Sequence, residues 1–388
     1  MMITNTIKSA LFGATVSVFL TACGGSDSTT EVQEQAKVVT PEPVAFDYQS
    51  LIDNKISSAV PGIILLVNTP DREFIGSAGV SDIENQTPMQ TSDTFHIAST
   101  GKVFIGLLAA QLHQDGLLNL DDTLDTWLPS DLLTKIQYSD KITLRQLLNH
   151  SSGIYNYGDT DKWKEDALAN PEQEKGNAEL VEYALNKPAE FEPGTGWHYS
   201  NTNYNLAGMI LDTVLGSQNA YEMRDRILSP LSLEDTFSVG VENNMIELIP
   251  GYETINGQHF NTKDLNLKYT SAAAPIASSV SDVAHFTRSM FKDPNFINDD
   301  IRDLMWGTDS LVKDKNNENY GLGMSQLKHN GANVYFHSGG NPGYSSENFY
   351  FEAQDISIVL FLNCGGSDEC LTSFKTIRDK VIEQVTKS

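Results

Sequence analysis

The sequence predicts an α/β fold of the α+β kind, in which one antiparallel sheet is built from both ends of the chain around an all-helical insertion. Three observations support this prediction. A strand–turn–strand pattern lies within residues 63–80, strand patterns return at residues 333–362, and residues 117–269 between them are dominated by helical patterns and loops. Strands confined to the two ends of a helical region bury their apolar faces by pairing in one sheet.

The first elements follow from short apolar runs and turn residues. Residues 47–59 predict a helix with Leu51 and Ile56 on its apolar side. The apolar run Ile63–Asn68 predicts a strand, and residues 73–80 can form the return strand of a hairpin after a Thr-Pro-Asp turn. These strands would form the N-terminal part of the sheet.

A second group of patterns is helical. From Ser99 to His113 the sequence is apolar on nearly all sides, which predicts a buried helix. Gly116 suits the end of that helix. Further helices are predicted near Thr143–Asn149, Asn203–Leu215 and Ser281–Phe291.

The C-terminal end returns to strand patterns. The run Ile356–Leu362 lacks strict alternation, which fits a central strand covered on both faces. The last helix is expected to be amphipathic. Its predicted apolar face carries Leu371, Phe374, Val381 and Val385, and the two strands before Ile356 are predicted at Asn333–Phe336 and Ser345–Phe351.

Residues 1–22 have the pattern of an export signal, because Lys8 precedes the apolar run Ala10–Leu20. That run is shorter than the about 20 residues that span a bilayer. The sequence Leu-Thr-Ala-Cys ending at Cys23 resembles a bacterial lipobox, whose cysteine is lipidated after cleavage. The alternative is a plain secretory signal. Residues 23–45 are polar and aromatic-free, which predicts a flexible tether before a domain at 46–388.

The charge and the cysteines limit the partners. A formal net charge of −25 disfavours binding to nucleic acid and to anionic lipid. Membrane contact is therefore expected only through the N-terminal lipid, in the bacterial cell envelope facing the periplasm, and Gly24 after the cysteine suggests the outer membrane by resemblance. Cys364 and Cys370 could form a disulfide there or remain free thiols. No metal site and no cofactor are expected.

A serine and a lysine at the start of the buried helix could carry chemistry. Ser99 would present its backbone N–H where partial positive charge favours an oxyanion. Lys102 lies at i+3 on the same face, and burial would lower its pKa so that it can accept the serine proton. The same spacing recurs at Ser325 and Lys328, but there the pattern is that of a strand entering a turn, so we interpret it as chance.

Two further motifs distinguish the first S-x-x-K copy from the second. Tyr199-Ser200-Asn201 is the only Y-x-N of the chain, and His337-Ser338-Gly339 follows a strand pattern and precedes a glycine-rich turn. The order S-T-G-K, Y-S-N, H-S-G resembles the penicillin-recognising serine hydrolases, in the branch of class C β-lactamases, D-alanyl-D-alanine carboxypeptidases, D-amino-acid amidases and esterases. The resemblance implies a β-lactamase/transpeptidase-like fold, in agreement with the patterns above.

The resemblance also implies roles for these residues. Ser99 would be the nucleophile, Lys102 its activating partner and Tyr199 a proton shuttle, and Lys102 would help the phenol act as a base. The N–H groups of Ser99 and Gly340 would form the oxyanion hole. Substrate contacts would come from Asn201, His337, Ser338 and Gly339.

Several other residues have a structural and a functional interpretation. Asn149 and His150 are interpreted as structural residues of a turn. Trp197 and Tyr344 could line the substrate cleft or belong to the aromatic core.

The expected chemistry is hydrolysis through an acyl-Ser99 intermediate. The first expectation for the substrate is a D-alanyl-D-alanine peptide or a related D-amino-acid peptide, including a peptidoglycan stem peptide. The alternatives are an esterase or a β-lactamase, and more distantly a non-catalytic penicillin-binding protein. The strand sequence MSQLKHN ahead of the third motif contains no arginine and a single lysine, Lys328, and Arg288 is distant in sequence. A substrate carboxylate would therefore be bound by the Ser338 hydroxyl and by His337 in its charged form.

Overall fold

The computed structural model describes residues 46–387 except 171, 246 and 256. The predicted export signal, lipidation at Cys23 and tether lie outside the described residues. The strands are β1 Gly62–Asn68, β2 Glu73–Asp82, β3 Thr87–Pro88, β4 Phe95–His96, β5 Phe237–Ser238, β6 Tyr252–Ile255, β7 Gln258–Asn261, β8 Ile276–Ser278, β9 Val312–Lys313, β10 Asn319–Tyr320, β11 Ser325–His329, β12 Ala332–Asn341, β13 Tyr344–Phe351, β14 Ile356–Leu362 and β15 Cys364–Gly365.

The α-helices are α1 Tyr48–Asp53, α2 Lys102–Gln114, α3 Ser130–Leu133, α4 Leu144–Leu148, α5 Asp161–Ala169, α6 Asn177–Glu182, α7 Asn201–Leu215, α8 Asn219–Met223, α9 Lys263–Leu267, α10 Val280–Lys292, α11 Asp299–Trp306 and α12 Asp368–Val385. Short 3₁₀ segments lie at Ala98–Gly101, Leu124–Thr126 and Tyr157–Asp159, and a π-helical turn at Arg224–Leu228. No helix among the described residues combines the length and the apolar composition needed to cross a membrane.

The main sheet joins both ends of the chain, as predicted. Its nine strands have the order β3-β2-β1-β14-β13-β12-β11-β10-β9, and the pairing between β1 and β14 is antiparallel, with Ile63 opposite Leu362. Every residue of β14 is buried, as expected of a central strand covered on both faces. The α+β fold class with one antiparallel sheet is therefore confirmed.

The two faces of this sheet meet different layers. Alternate side chains of β14 point to opposite faces, because successive residues of a strand do. Ile358 and Leu360 join an apolar cluster with α12, whereas Val359 and Phe361 join the larger core that contains α2, α7 and α10. The face toward α2 is the one that carries the candidate site.

Three local expectations differ from the structure. The first helix is only six residues long, and Ile52 rather than Leu51 or Ile56 is fully buried. In α12, Leu371 is 40% exposed, because the buried stripe runs through Cys370, Phe374 and every third or fourth residue after them. The insertion within 117–269 is mainly helical but also contains the β6–β7 hairpin, whose β6 pairs with β15 in parallel.

Candidate active site

The turn that carries Ser99 is held against the main sheet. Ser99 is half-buried in the 3₁₀ segment Ala98–Gly101, and Lys102 is the first residue of α2. A Cβ atom at Gly339 of β12 would lie 2.3 Å from Ser346 Oγ and 2.4 Å from the Ile97 carbonyl oxygen. Gly339 thus permits the close approach of strand and turn.

Lys102 is fully buried and has three hydrogen-bond partners around its amine. Its Nζ donates to Asn201 Oδ1 at 2.9 Å and to the carbonyl oxygen of Ala273, and it lies 3.1 Å from Ser99 Oγ, whose hydroxyl can donate to the lone pair of the neutral amine. Burial lowers the pKa of Lys102 well below the ordinary value for lysine. A lysine with a lowered pKa can be neutral and can accept the proton of Ser99.

Tyr199 and Asn201 come from the N-terminal end of α7. The Tyr199 hydroxyl is buried and finds no hydrogen-bond partner among the described residues. Burial raises the pKa of Tyr199, while the nearby Ser99 hydroxyl acts in the opposite direction. Lys102 Nζ lies 5.1 Å from the centre of the Tyr199 ring. These surroundings favour the neutral phenol, so Lys102 is better suited than Tyr199 to act as the base.

His337 is a buried, neutral side chain. Its Nδ1 lies 2.7 Å from the carbonyl oxygen of Ser338 and its Nε2 lies 2.9 Å from the Tyr320 hydroxyl. Because a carbonyl only accepts, Nδ1 carries the proton and Nε2 accepts from Tyr320. Burial lowers the pKa of His337 to about 3. These contacts and the lowered pKa favour a neutral His337, which supplies no cation for a substrate carboxylate.

Ser338 does not face the site. Its hydroxyl donates to Glu347 Oε1 at 2.7 Å, and Glu347 lies 3.7 Å from Arg378 of α12 on the opposite face of the sheet. The prediction that the Ser338 hydroxyl binds substrate is wrong, because β12 continues through residue 341 and its side chains alternate between faces. Gly340 is exposed and borders the open cleft described below.

The sequence analysis missed Tyr320 and interpreted His150 only as a residue of a turn. Tyr320, the first residue of the sequence YGLGM at 320–324, donates its hydroxyl to His337 as described above. His150 is buried with a φ of +64°, and its ring centre lies 4.3 Å from that of Tyr199 and 4.9 Å from that of Tyr320. The positive φ agrees with the turn interpretation of His150. The one sequence feature that could have pointed to Tyr320 is the sequence YGLGM, which precedes the third motif.

The remaining candidate residues lie as follows. Trp197 packs beside this aromatic group, 5.9 Å from His150, whereas Tyr344 is a fully buried core residue whose hydroxyl donates to Ile249. The second S-x-x-K copy lies in strand β11, with Lys328 exposed, as its pattern predicted. Arg288 is paired with Asp355 outside the site.

A cleft of about 330 Å³ borders the catalytic cluster through Asn201 and Gly340. Its apolar side includes Tyr157, Trp163 and Tyr269, and no arginine or lysine is among the described residues that line it. The charged residue in its lining is Asp159, whose Oδ2 accepts from Asn156 Nδ2 at 3.1 Å. The Asn156 side chain in turn accepts from the backbone N–H of Asn201 at 3.0 Å. A polar wall thus runs from Asp159 to the cluster around Ser99.

Cys364 and Cys370 form a disulfide bond behind this region, at the end of β14. Among the described residues, no group of three or more His, Cys, Asp and Glu side chains is arranged to hold a metal ion.

Comparisons with known proteins place this geometry in a family. A family model described as Beta-lactamase matches residues 46–375. The chain is 27% identical to Penicillin-binding protein 4* of Bacillus subtilis over 305 residues, 74% of this chain and 64% of that protein. It is 25% identical to Protein flp of Staphylococcus aureus over 78% of this chain and 60% of that protein. The chain thus spans less than two thirds of these relatives.

Solved structures show the same fold. A D-stereospecific amidohydrolase from Streptomyces sp. superposes with a TM-score of 0.71 and 27% identity, over 84% of this chain and 96% of that one. The D-amino acid amidase from Ochrobactrum anthropi SV3, complexed with L-phenylalanine, has a TM-score of 0.73 over 88% of this chain and 98% of that one. At 23% identity this second likeness concerns the fold alone.

Proposed function

The chain belongs to the Beta-lactamase family of serine hydrolases, and from this membership we propose that it hydrolyses small D-amino-acid amides or peptides through an acyl-Ser99 intermediate. The observation that carries the proposal is the buried contact of 3.1 Å between Lys102 Nζ and Ser99 Oγ, with the pKa of Lys102 lowered by burial. This arrangement supplies a nucleophile and a base in hydrogen-bond contact.

The proposed reaction proceeds in two steps. Neutral Lys102 takes the Ser99 proton as Oγ bonds to the substrate carbonyl carbon, and the carbonyl electron pair moves to oxygen, where the N–H groups of Ser99 and Gly340 donate. Collapse of this intermediate breaks the C–N bond, and the leaving nitrogen takes a proton from the Tyr199 hydroxyl, which regains one from Lys102. A water molecule then loses a proton to Lys102 and attacks the acyl carbon. The acyl–Oγ bond breaks as Lys102 returns that proton to Ser99 Oγ, which leaves the carboxylic acid product, the Ser99 hydroxyl and neutral Lys102.

The charges of the cleft support a substrate with a free amino group. Carboxypeptidase action needs a cation for the terminal carboxylate, and arginine is the usual partner. Here His337 is neutral and the cleft lining contributes Asp159 instead. The name of the Streptomyces relative, a D-stereospecific amidohydrolase, supports the same substrate class. Asn201 and Asn156 are placed to hold the substrate amide beside Ser99.

D-alanyl-D-alanine carboxypeptidase activity is the second candidate. The likeness to Penicillin-binding protein 4*, at 27% identity, favours it. An esterase or a β-lactamase would use the same acyl-Ser99 chemistry. A non-catalytic penicillin-binding role is disfavoured by the intact contact between Ser99 and Lys102.

We also propose that the protein is lipid-anchored at Cys23 in the cell envelope, facing the periplasm. The Cys364–Cys370 disulfide supports an oxidising compartment. Replacing Cys23 by serine should move the protein from the membrane fraction to the soluble periplasmic fraction. Unchanged membrane association of Cys23→Ser would contradict the anchor.

The test of the activity compares the purified full chain with Ser99→Ala on three substrates: D-phenylalanine amide, its L-enantiomer and a peptide ending in D-Ala-D-Ala. The proposal expects hydrolysis of the D-amide above the L-amide. It expects a loss on the order of 10⁶ in kcat for Ser99→Ala. Faster release of D-alanine from the peptide would favour the carboxypeptidase. Equal rates for both proteins on all substrates would overturn the assignment.

Intact-mass spectrometry after mixing with benzylpenicillin adds a direct readout of the nucleophile. A penicilloyl adduct on the native chain that is absent from Ser99→Ala would identify Ser99. Ser325→Ala is the matched control, since Ser325 has the same S-x-x-K spacing within strand β11, and it should acylate as the native chain does.

A further inference from the structure

The cleft wall beside Gly340 is a tight turn with many backbone contacts. We call residues 340–343, the last two residues of β12 and the two that connect it to β13, the cleft turn. The Pro342 carbonyl oxygen accepts from Thr262 Oγ1 at 2.7 Å and from Asn266 Nδ2 at 3.0 Å. Gly343 has a φ of +80°, and a Cβ there would lie 2.3 Å from Thr262 Oγ1. The β6–β7 hairpin and α9 therefore hold the cleft turn from outside the sheet.

Glu253 of β6 makes a charged contact with this turn. Its Oε2 accepts from the Gly343 N–H at 3.0 Å, although Glu253 is half-buried. Burial raises the pKa of Glu253, and the Gly343 N–H acts in the opposite direction. A carboxylate that accepts a backbone N–H in a partly buried place makes a hydrogen bond stronger than a neutral one.

Two glycines leave room for that carboxylate. A Cβ at Gly365 would lie 2.7 Å from Glu253 Oε2 and 2.7 Å from the Gly343 nitrogen. A Cβ at Gly366 would lie 1.7 Å from Glu253 Oε1. The Glu253 carboxylate is thus enclosed between Gly343 on one side and Gly365–Gly366 on the other.

The disulfide fixes the segment that contains these glycines. Gly365 pairs with Glu253 and Cys364 pairs with Tyr252 in the parallel ladder of β15 and β6. The Cys364 carbonyl oxygen also accepts from Ser345 Oγ at 2.9 Å. Because Cys370 lies in the first turn of α12, the Cys364–Cys370 bond links this ladder to the C-terminal helix.

We infer that Glu253 is a positioning residue for the oxyanion hole: it fixes Gly343 and thereby the cleft turn that carries the Gly340 N–H, and the Cys364–Cys370 disulfide holds the glycines that enclose its carboxylate. The inference rests on the proposed acyl-transfer function of Ser99. Glu253 itself touches no substrate in this scheme and acts through the backbone of residues 340–343.

The test measures kcat and KM separately for Glu253→Ala, on a substrate that the native chain turns over. A displaced oxyanion donor weakens the transition state more than the ground state, so kcat should fall about tenfold while KM changes less than about twofold. Glu253→Gln retains a carbonyl oxygen that can accept from Gly343, and it should recover most of the lost kcat. Thr254→Ala is the matched control, because Thr254 lies on the same strand and contacts His259 within the hairpin.

A second measurement asks whether the disulfide acts through Glu253. The paired substitution Cys364→Ser with Cys370→Ser should lower kcat in the same manner. Combined with Glu253→Ala it should add little further loss, since both act on one contact. Thermal unfolding of each variant separates loss of folded protein from loss of activity in the folded state.

The outcomes distinguish the inference from the function on which it rests. Native-like kcat in folded Glu253→Ala, with activity that still requires Ser99, overturns the inference and leaves the function intact. Equal loss in Glu253→Gln and Glu253→Ala, or full additivity with the cysteine pair, also overturns it. If Ser99→Ala is as active as the native chain, the proposed function itself fails.

Discussion

The two faces of the main sheet are built in opposite ways. Toward α12 the sheet meets an apolar cluster with Phe374, Ile377 and Val381, and its buried carboxylate, Glu347, lies near Arg378. Toward α2 the sheet meets the site, where Lys102 is fully buried and its amine has only neutral hydrogen-bond partners. The first face stabilises the fold, and the second accepts a buried amine that chemistry requires.

The pKa shifts of Glu347 and Lys102 differ between the two faces in the same way. Burial raises the pKa of Glu347 to about 7, and the Ser338 hydroxyl and Arg378 act in the opposite direction. For Lys102 burial is the cause that lowers its pKa, with no charged partner to oppose it. The site thus favours the neutral amine, which is the form that can act as a base.

The largest effect is expected from a substitution at Lys102, which removes the buried amine from the site. Lys102→Met should lower the hydrolytic kcat on the order of 10⁴-fold, because the general base is lost. Between its lowered pKa in the folded chain and its ordinary value of 10.5, Lys102 binds a proton only when unfolded. The stability of the native chain therefore falls as the pH drops from 10.5 toward the lowered pKa, whereas the variant lacks this dependence. Unfolding curves across this pH range measure the difference.

Lys328→Met is the control for that substitution. Lys328 is exposed on β11, so its loss should leave the hydrolytic activity unaltered. Parallel pH profiles of stability for the native chain and Lys102→Met would show that Lys102 keeps its ordinary pKa in the folded chain, contrary to the contrast drawn here.

A core substitution on the opposite face should change stability alone. Ile377 is fully buried in the apolar cluster of α12, and Ile377→Ala should lower the free energy of unfolding by about 2–5 kcal/mol. The rate of Ser99 acylation at a temperature where the variant is folded should stay native-like. Leu371→Ala, at a 40% exposed position of the same helix, should change stability by less than about 0.5 kcal/mol. Denaturant titration and acylation rates test both statements.

Tyr320→Phe tests the polar contacts on the site face of the sheet, because it removes one hydroxyl group from the site. The buried Nε2 of His337 would lose its donor, which costs about 1–3 kcal/mol for an unpartnered buried acceptor. We expect the His337 ring to shift relative to Tyr199 and kcat/KM to fall about tenfold, equivalent to about 1.4 kcal/mol. The imidazole ¹⁵N shifts of His337 should report the protonated Nδ1 in the native chain and change in the variant. Tyr335→Phe, a buried tyrosine outside the site, should leave those shifts unaltered.

The smallest expected effect concerns the backbone before the nucleophile. Ala98 has a φ of +50°, in the left-handed region that costs a non-glycine residue about 1–2 kcal/mol. Ala98→Gly should remove this cost, and the larger entropy of the unfolded glycine should offset about half of it. The free energy of unfolding would rise by about 0.5 kcal/mol, with a lower kcat from a less restricted Ser99. Gln86→Gly, at an exposed residue with a φ of +53°, should stabilise without altering kcat.

The sequence was sufficient for the elements whose signal is local. The central strand β14 was predicted with its observed limits, because a continuous apolar run has one stable place in a sheet. Ser99, Lys102, Tyr199 and Asn201 were found through short motifs, and the structure brings their side chains together. Their catalytic roles remain predictions until the acylation test is made.

What sequence reasoning missed depends on long-range geometry. Tyr320 meets His337 only after β10, β11 and β12 pair, so no local pattern connects them. Ser338 was assigned to the site through the resemblance of the H-S-G motif, and the strand before it was expected to end at Phe336. With the strand continued to Asn341, alternation alone would have turned the Ser338 hydroxyl away.

The pairing of β1 with β14 has a consequence for how the protein is made. Ile63 and its strand partner Leu362 are separated by most of the described residues. The centre of the sheet therefore cannot close before β14 has been synthesised, and until then β1 has only β2 as a strand partner. Such long-range pairing slows folding and lengthens the time that apolar strands stay exposed. A ribosome stalled before Ile356 should thus hold a chain that exposes β1 and is readily cleaved by proteases.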